Sequence, residues 1–483
     1  MSKNLWSYAV IATTLILVFI VAYFPFQSED LYMYIAIARE FFQTGTFPQT
    51  DPFLFSIPNY QWQILHEWAC YLFFYAFYQM GGLMIVTGVK AIMIMLTMSF
   101  PLLFFKRTPL LIIIWSISCF IVTISCNFRF VERANLFTDL LATLVLVICL
   151  IESYKPSKIK YILPLLFISW VNLHPGYMLG WAICLLYLII QIKDYKKKSY
   201  QHFIWLSLLS VVICLFNADG LYGLLYPIIF ALNEGQTFQQ YYYEWYPTYH
   251  KVFHNQPAIW IILIFAFCSW LLLLIKFNKK NLFAMAVFAL ISIMAIKGVR
   301  FIPLLGYFCI SILCYWARHF SIPKHFTKGL PIILLILMIY TIKVLAFGYT
   351  SMGVKRTFGY GIDPIALPTE NLKVLKDAKF KVNMYNSHRF GSYLAWEWGG
   401  SPKVFYHGFV TDVDFYIKDY FGLARSKIEF EALVKKHDLK GFLIERLDSA
   451  KPIIEMVFNH PEWQLVSKDP ASLLFIKKSS IGK

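Results

Sequence analysis

The sequence predicts a polytopic α-helical membrane protein that ends in a small soluble α/β domain. Three observations lead there. Of the 483 residues, 59% are hydrophobic and 19% aromatic, against roughly 45–50% apolar in an ordinary soluble domain. The excess falls into repeated apolar runs of about 20 residues, the length that crosses a hydrocarbon core. Lys and Arg gather in short loops between those runs, whereas the segment after about residue 350 mixes both charge signs with short apolar stretches. Backbone polar groups in lipid must bond within their own segment, so the runs read as helices. The net charge of +17 then reflects membrane orientation and does not indicate nucleic acid as a partner.

The first run, 7–25, carries no charge and follows Lys3. It is long for a signal-peptide core and no small-residue cleavage site follows it, so it reads as an uncleaved anchor. Further spans are expected near 82–105, 109–126, 135–152, 160–173, 176–192, 203–217, 257–275, 281–297, 302–317 and 329–347, about eleven in all. With that count, Lys106/Arg107, Lys155/Lys158/Lys160, Lys196/Lys197/Lys198, Lys276/Lys279/Lys280 and Arg318/Lys324/Lys328 share one side, which the positive-inside rule makes cytoplasmic. An odd number of spans places the N-terminus inside and everything beyond 350 outside, as a periplasmic or external domain on the cytoplasmic (inner) membrane.

The first external loop, 26–81, holds a helix-like stretch 31–43, then "GTFPQTDPF", then "WQILHEWACYLFFYAFYQMGG". The last is apolar enough to span, but as a span it would send every later basic cluster outside. It is therefore expected to be a helix over 64–79 lying in the outer interface, where Trp and Tyr concentrate. The membrane domain is placed at 1–349 and the α/β domain at 350–483. In the latter, "FKVNMYNS", "KVFYHG" and "KGFLIER" read as strands, "FEALVKKHDL" and "AKPIIEMVFNH" as helices, and "WQLVSKDPASLLFIKK" as two strands around a "KDPA" turn. The nine cysteines run from Cys70 to Cys314, so no disulfide staples the tail.

Several chemistries are absent. His66-Glu67 has no second histidine four positions on, and there is neither a phosphate-binding loop nor a dinucleotide fingerprint. No cysteine pair has metal-ligand spacing. The informative residues are the charges near the predicted outer face: Lys90, Arg129, Arg133, Lys297, Arg300 and Lys343. An isolated charge at membrane depth costs a few kcal/mol even on insertion scales, so several cations at one depth suggest an anionic ligand. Snorkelling to headgroups is the plain alternative, strongest for Lys343. On the same face lie Glu29, Asp30, Asp51, His66, Glu67 and Glu244, with Asn172 and His174 in the turn "WVNLHPG". That turn could be a mere connector, Glu29 a helix cap, and His66/Glu67 a solvated face. Two adjacent acids where one cap suffices favour function. Carboxylates can take a proton from an acceptor hydroxyl or hold a divalent metal ion, and cations can hold a lipid carrier's phosphate as it leaves. This chemistry suits transfer of a sugar from a polyprenyl phosphate, with Glu29 and Asp30 beside one external cavity.

The order of the motifs "SEDLYMY", "GTFPQTDPF", "HEWA", "ERANLFT" and "WVNLHPG", with "GSYLAWEW" and the closing "WQLVSKDPASLLFIKK", resembles the GT-C superfamily of polyprenyl-phosphate-dependent glycosyltransferases. That superfamily includes protein O-mannosyltransferases and the aminoarabinose transferase of lipid A. The resemblance is nearest to a bacterial branch with a soluble C-terminal domain. Ala134 stands where that branch usually has proline, and "HPG" where it has "HGG". The first acids are adjacent, not spaced, which weakens the case for a bound metal. The resemblance implies a first-loop acid acting at the acceptor, hence Asp30 with Glu29 as catalytic residues. It also implies a lipid, glycan or protein acceptor. Two rival readings are a lipid or sugar transporter, whose charges would sit at the midplane in broken repeats, and a non-catalytic assembly protein of envelope polysaccharide synthesis.

Overall fold

The computed structural model describes residues 3–233, 240, 242–275, 281–318, 320 and 329–480. Lys276, Lys279, Lys280, Lys324 and Lys328 lie outside the described residues. The chain forms two compact units. One comprises 1–25, 65–68 and 83–360, the other 26–64, 69–82 and 361–483. The sequence reading grouped 26–81 with the membrane part; by packing, most of that loop belongs with the tail.

The helices of the first unit are α1 (Lys3–Ala22), the part of α3 (Trp68–Phe104) from Leu83 on, α4 (Pro109–Cys126), α5 (Asn135–Tyr154), α6 (Leu163–Leu173), α7 (Tyr177–Ile190), α8 (Lys198–Ile213), α9 (Gly220–Asn233), α10 (Pro257–Ile275), α11 (Leu282–Lys297), α12 (Ile302–Ala317) and α13 (Gly329–Phe347). In the second unit α2 covers Asp30–Thr44. Helix α3 is interrupted at Gly81 and Gly82, and Gly82 has φ 61°, a left-handed value that suits glycine,. The division between the two units falls there. Among the described residues, seven helices are long and apolar enough to cross a membrane, and α7, α9 and α11 are shorter apolar helices. Every residue of α12 except Trp316 is buried, whereas only 22% of the apolar window in α13 is. Both are uniformly apolar. In lipid an exposed helix face needs no polar residues, so composition does not distinguish a central helix from a peripheral one.

Contacts at the helix ends sort the loops. The Phe105 ring lies 6.2 Å from Tyr315, and the Arg318 guanidinium stacks 3.9 Å from Tyr154 and 3.6 Å from Tyr315. Lys160 pairs with Glu152 at 2.7 Å, and Ser199 bonds both. The described basic loops thus gather at one end of the bundle, as their charges predicted. At the other end, Gly359 N donates to Tyr23 O at 3.1 Å, and the Arg356 guanidinium lies over Phe24 at 4.0 Å and donates to Asn127 O.

Helix α9 corrects the sequence reading, which left 218–256 as loop. It is 14 residues long with Pro227 inside, too short to register as a span. Asn217 holds its start by donating to Gly220 O at 2.6 Å.

In the first unit β1 (Tyr349–Ser351) and β2 (Val354–Arg356) pair antiparallel; in the second unit, β3 (Met384–Asn386), β4 (Gly441–Glu445), β5 (Trp463–Lys468) and β6 (Ser472–Lys477) form a sheet of order β3-β4-β6-β5. The β3/β4 pair is parallel and the others antiparallel. Helices α14 (Thr369–Asp377), α15 (His388–Trp398), α16 (Lys427–Lys436) and α17 (Lys451–Phe458) accompany the sheet; the tail's periodicity predicted α16 and α17, not α14 and α15. "KVFYHG" is not a strand. Its one bridge joins Val404 to Leu54, with Val404 N donating to Phe53 O and Phe55 N to Val404 O; beyond it side chains take over: Phe405 N donates to Asn386 Oδ1, Asn386 Nδ2 to Tyr406 O, and Ser56 Oγ to Phe405 O. Residues Leu31 to Ala38 of α2 are all buried. Helix α2 packs on α15: Tyr32 meets Tyr393 at 4.8 Å, and Arg39 stacks 4.2 Å from Trp396 while donating to the Trp396 and Ala395 carbonyls. Those carbonyls close α15, so Arg39 satisfies groups that a helix C-terminus leaves open.

Candidate active site

Four connectors at one end of the first unit bring charge together. Arg129 ends the turn after α4, Arg133 precedes α5, Glu244 lies in the turn Tyr243–Trp245, and Arg300 in the turn Val299–Phe301. Arg129 and Arg133 both donate to the same carboxylate oxygen, Glu244 Oε2, at 2.6 and 2.8 Å. The Arg300 guanidinium carbon lies over Trp245, 4.0 Å from the ring centroid. A guanidinium stacked by its face keeps its N–H groups in the plane for an anion. Burial alone would raise the Glu244 pKa, but Arg133, Arg129 and Arg300 outweigh it and hold the group well below the usual carboxylate range. Glu244 is therefore a fixed anion among three fixed cations, and the set keeps an excess of positive charge. Arg129 is 7% exposed, and its Nε has no hydrogen-bond partner among the described residues. A buried donor left so is costly unless an acceptor arrives.

Beside these stand His66, Glu67 and His174. His174 Nε2 lies 3.7 Å and His66 Nε2 4.0 Å from Glu67 Oε1, and the His66 ring stacks on Tyr226 at 4.3 Å. His174 Nδ1 accepts from Gly176 N at 3.0 Å and meets Thr138 Oγ1 at 2.7 Å. Its proton therefore sits on Nε2, towards Glu67. Burial, then Arg300, His66, Arg133 and Arg129, push the His174 pKa well below its ordinary value of 6.5, so the ring is neutral. Asn172 does not present its side chain to this group. It accepts from Trp68 Nε1 at 2.6 Å and donates to Ile168 O at 2.8 Å, which fixes the residue next to Glu67.

Of four further sequence candidates, three have other engagements. Lys90, read as a phosphate ligand, pairs with Glu132 at 2.7 Å with both side chains fully buried, and its ammonium lies 3.7 Å from the Phe24 ring. A buried ion already matched by a carboxylate has little to offer a ligand. Lys297 is exposed at the end of α11. Lys343 bonds the Gly348 carbonyl at 2.9 Å, capping α13. Asp51, read as one of the polar residues facing the external cavity, is instead sealed: Oδ2 accepts from His407 Nε2 at 2.7 Å with both side chains at 0% exposure, and Oδ1 accepts from Phe53 N.

The paired acids of the first loop belong to the second unit. Asp30 opens α2, where a carboxylate suits the helix dipole,. Glu29 Oε1 lies 3.5 Å from His388 Nδ1, each side chain 21% exposed. His388 opens α15 and its backbone N–H donates to Tyr420 Oη at 2.8 Å. The histidine partners of both Asp51 and Glu29 escaped the search for site residues because more than 350 positions separate each pair in the chain. Among the described residues no group of three or more His, Cys, Asp or Glu could hold a metal ion.

No family model matches the chain, and no curated protein sequence does. Solved structures do. The oligosaccharyltransferase AglB from the archaeon Archaeoglobus fulgidus, solved with an inhibitory peptide and a dolichol-phosphate, aligns with TM-score 0.61 and 11% identity over 92% of this chain and 70% of its own. The chain has the GT-C fold. The same fold links it to the mycobacterial arabinofuranosyltransferase AftD, with TM-score 0.51 and 13% identity over 99% of this chain and 40% of AftD. Another structure of the Archaeoglobus fulgidus enzyme, in complex with Zn and sulfate, aligns with TM-score 0.55. With identities this low, the shared GT-C property is architecture.

Proposed function

We propose that this protein is a membrane glycosyltransferase that moves a sugar from a polyprenyl-phosphate carrier to an acceptor on the outer face of the cytoplasmic membrane. The observation that carries the reading is the set Arg129, Arg133 and Arg300 around one carboxylate, an anion-binding arrangement at a helix-bundle end. In this reading the arginines, with Lys297 at the edge, hold the donor phosphate and stabilise it as it leaves. Glu67, oriented by His174, and His66 form the polar wall of the same cluster. Asp30, with Glu29, takes the acceptor hydroxyl's proton as its oxygen attacks the anomeric carbon. The N-terminus is cytoplasmic and residues beyond 350 are external.

The test is sugar transfer by purified protein in lipid. General-base help is worth typically 10²–10⁴-fold, so Asp30→Asn lowers transfer by that order while donor binding persists. Arg300→Ala weakens donor binding first, because it removes a ground-state contact. A wild-type rate from Asp30→Asn removes the base from the mechanism. Phosphatase fusions after Lys198 and after residue 349 test topology: activity only at the second is expected, and the reverse overturns the orientation.

A further inference from the structure

Two glycines in the second unit differ in what the fold asks of them. A Cβ on Gly391 would overlap the Tyr406 carbonyl and the His407 backbone. Glycine there lets α15 touch the 404–410 segment directly. Gly408 has no such reason. Its φ lies outside the left-handed region, and a Cβ built on it would sit at ordinary contact distances: 3.5 Å from His388 Nε2, 3.7 Å from His388 Cε1 and 3.9 Å from Asp30 Oδ1. Neither backbone nor packing requires glycine at 408, yet the atom it lacks would stand between an imidazole and a carboxylate.

The surroundings fix this geometry. His407, before Gly408, is anchored to Asp51, and Phe409 N, after it, donates to His407 Nδ1 at 3.2 Å. Asn386 holds Phe405 and Tyr406. His388 is placed by α15, its ring 5.3 Å from Tyr406, with Nδ1 towards Glu29 and Nε2 towards the Gly408 position. Gly408 is itself partly exposed, so the position is reachable from outside.

Building on the transfer reading above, we infer that the acceptor's nucleophilic hydroxyl binds over Gly408, between Asp30 Oδ1 and His388 Nε2. The substrate class is an alcohol, the hydroxyl of a glycan, lipid or side chain. His388, carrying a proton on each ring nitrogen, donates from Nδ1 to Glu29 and from Nε2 to the hydroxyl oxygen, and the hydroxyl donates to Asp30,. In the reaction the oxygen's electron pair forms the bond to the anomeric carbon. The bond from that carbon to the phosphate oxygen breaks, its pair leaving with the lipid phosphate, and the hydroxyl proton passes to Asp30. His388 ends unchanged, held by Glu29. A methyl at position 408 would project into the space that the hydroxyl approaches and push it away from both groups.

The experiment uses the full-length protein in a strain deleted for it, reading the lipid-linked sugar that accumulates. Wild type clears it. Gly408→Ala and His388→Leu should each slow clearance on the order of 10²-fold, the cost of about 1 Å of misplacement at a reacting centre. His388→Asn, which keeps a polar group, should recover part of the rate. Protein level and melting temperature of Gly408→Ala should equal wild type, since the methyl meets no clash. Donor binding to the purified variants should be unchanged. Clearance by Gly408→Ala at the wild-type rate overturns the inference alone, as does equal loss in His388→Asn and His388→Leu. A deletion strain that accumulates no lipid-linked sugar overturns the transfer reading and the acceptor site with it.

Discussion

Asp51–His407 and Glu29–His388 are the same chemical pair in the same unit, and they behave differently. The first is 2.7 Å long and wholly buried, and both Asp51 oxygens and both His407 nitrogens are engaged. The second is 3.5 Å long and 21% exposed on each side. The first fastens a first-loop segment to the tail; the second is longer and partly exposed. Residue type does not separate the two, but burial and distance do. Asp419–His437 falls between, at 2.7 Å with side chains 11% and 5% exposed.

The largest effect that would break this contrast is in Asp51. Removing one partner of a buried pair typically costs 3–5 kcal/mol, so Asp51→Ala should lower the second unit's unfolding free energy by about that much in a denaturant titration. Glu29→Gln should cost less, about 1 kcal/mol, because the pair is long and partly exposed,. Similar losses would erase the distinction.

The intermediate pair sharpens the comparison through pH. For Asp419, burial would raise the pKa, but the hydrogen bonds from Lys436 and His437 outweigh it and lower the pKa from 3.8. Burial lowers the His437 pKa from 6.5 against the pull of Asp419. Both depressed values favour the folded state at high pH. The His437 share is lost as pH falls below about 6.5 and the Asp419 share below about 4. Melting temperature should therefore decline in two stages on acidification. His437→Gln should remove the upper stage and Asp419→Asn the lower. A profile flat from pH 7 to 3 would contradict both.

The smallest expected effect is at the surface. Lys418–Asp414, an i,i+4 pair 66% and 78% exposed, should change stability by about 0.3–0.5 kcal/mol or less in Asp414→Ala. A loss near that of Asp51→Ala would show that geometry, not burial, sets the scale here.

What the sequence made legible follows from locality. Apolar runs and basic loops are local, and the helices of the first unit and the shared end of the described basic loops match them. Periodicity also found α16, α17 and the β5/β6 hairpin. Helix α9 was lost because Pro227 and a 14-residue length hide it from a span criterion. "KVFYHG" looked like a strand, but only Val404 pairs with another backbone, that of Phe53 and Phe55, and the side chains of Asn386 and Ser56 hold the residues after it. The arginines were legible as cations out of place. That Lys90 is answered by Glu132, Asp51 by His407 and Glu29 by His388 was not, since pairing across 42 to 359 positions leaves no periodic trace in the chain.

The bond from Arg39 to the Trp396 carbonyl joins positions 357 residues apart, and this sets a schedule for synthesis. Helix α2 emerges early, with eight consecutive side chains that end up buried. Its partner α15 is made only after the membrane helices between them. At about 5–20 residues per second, α2 waits roughly 20–70 s. For that time an apolar helix lies without the surface that will cover it, while the intervening helices are still being inserted. Biogenesis of this protein therefore has a vulnerable interval, and a membrane-side holding factor that shields 31–38 would act within it.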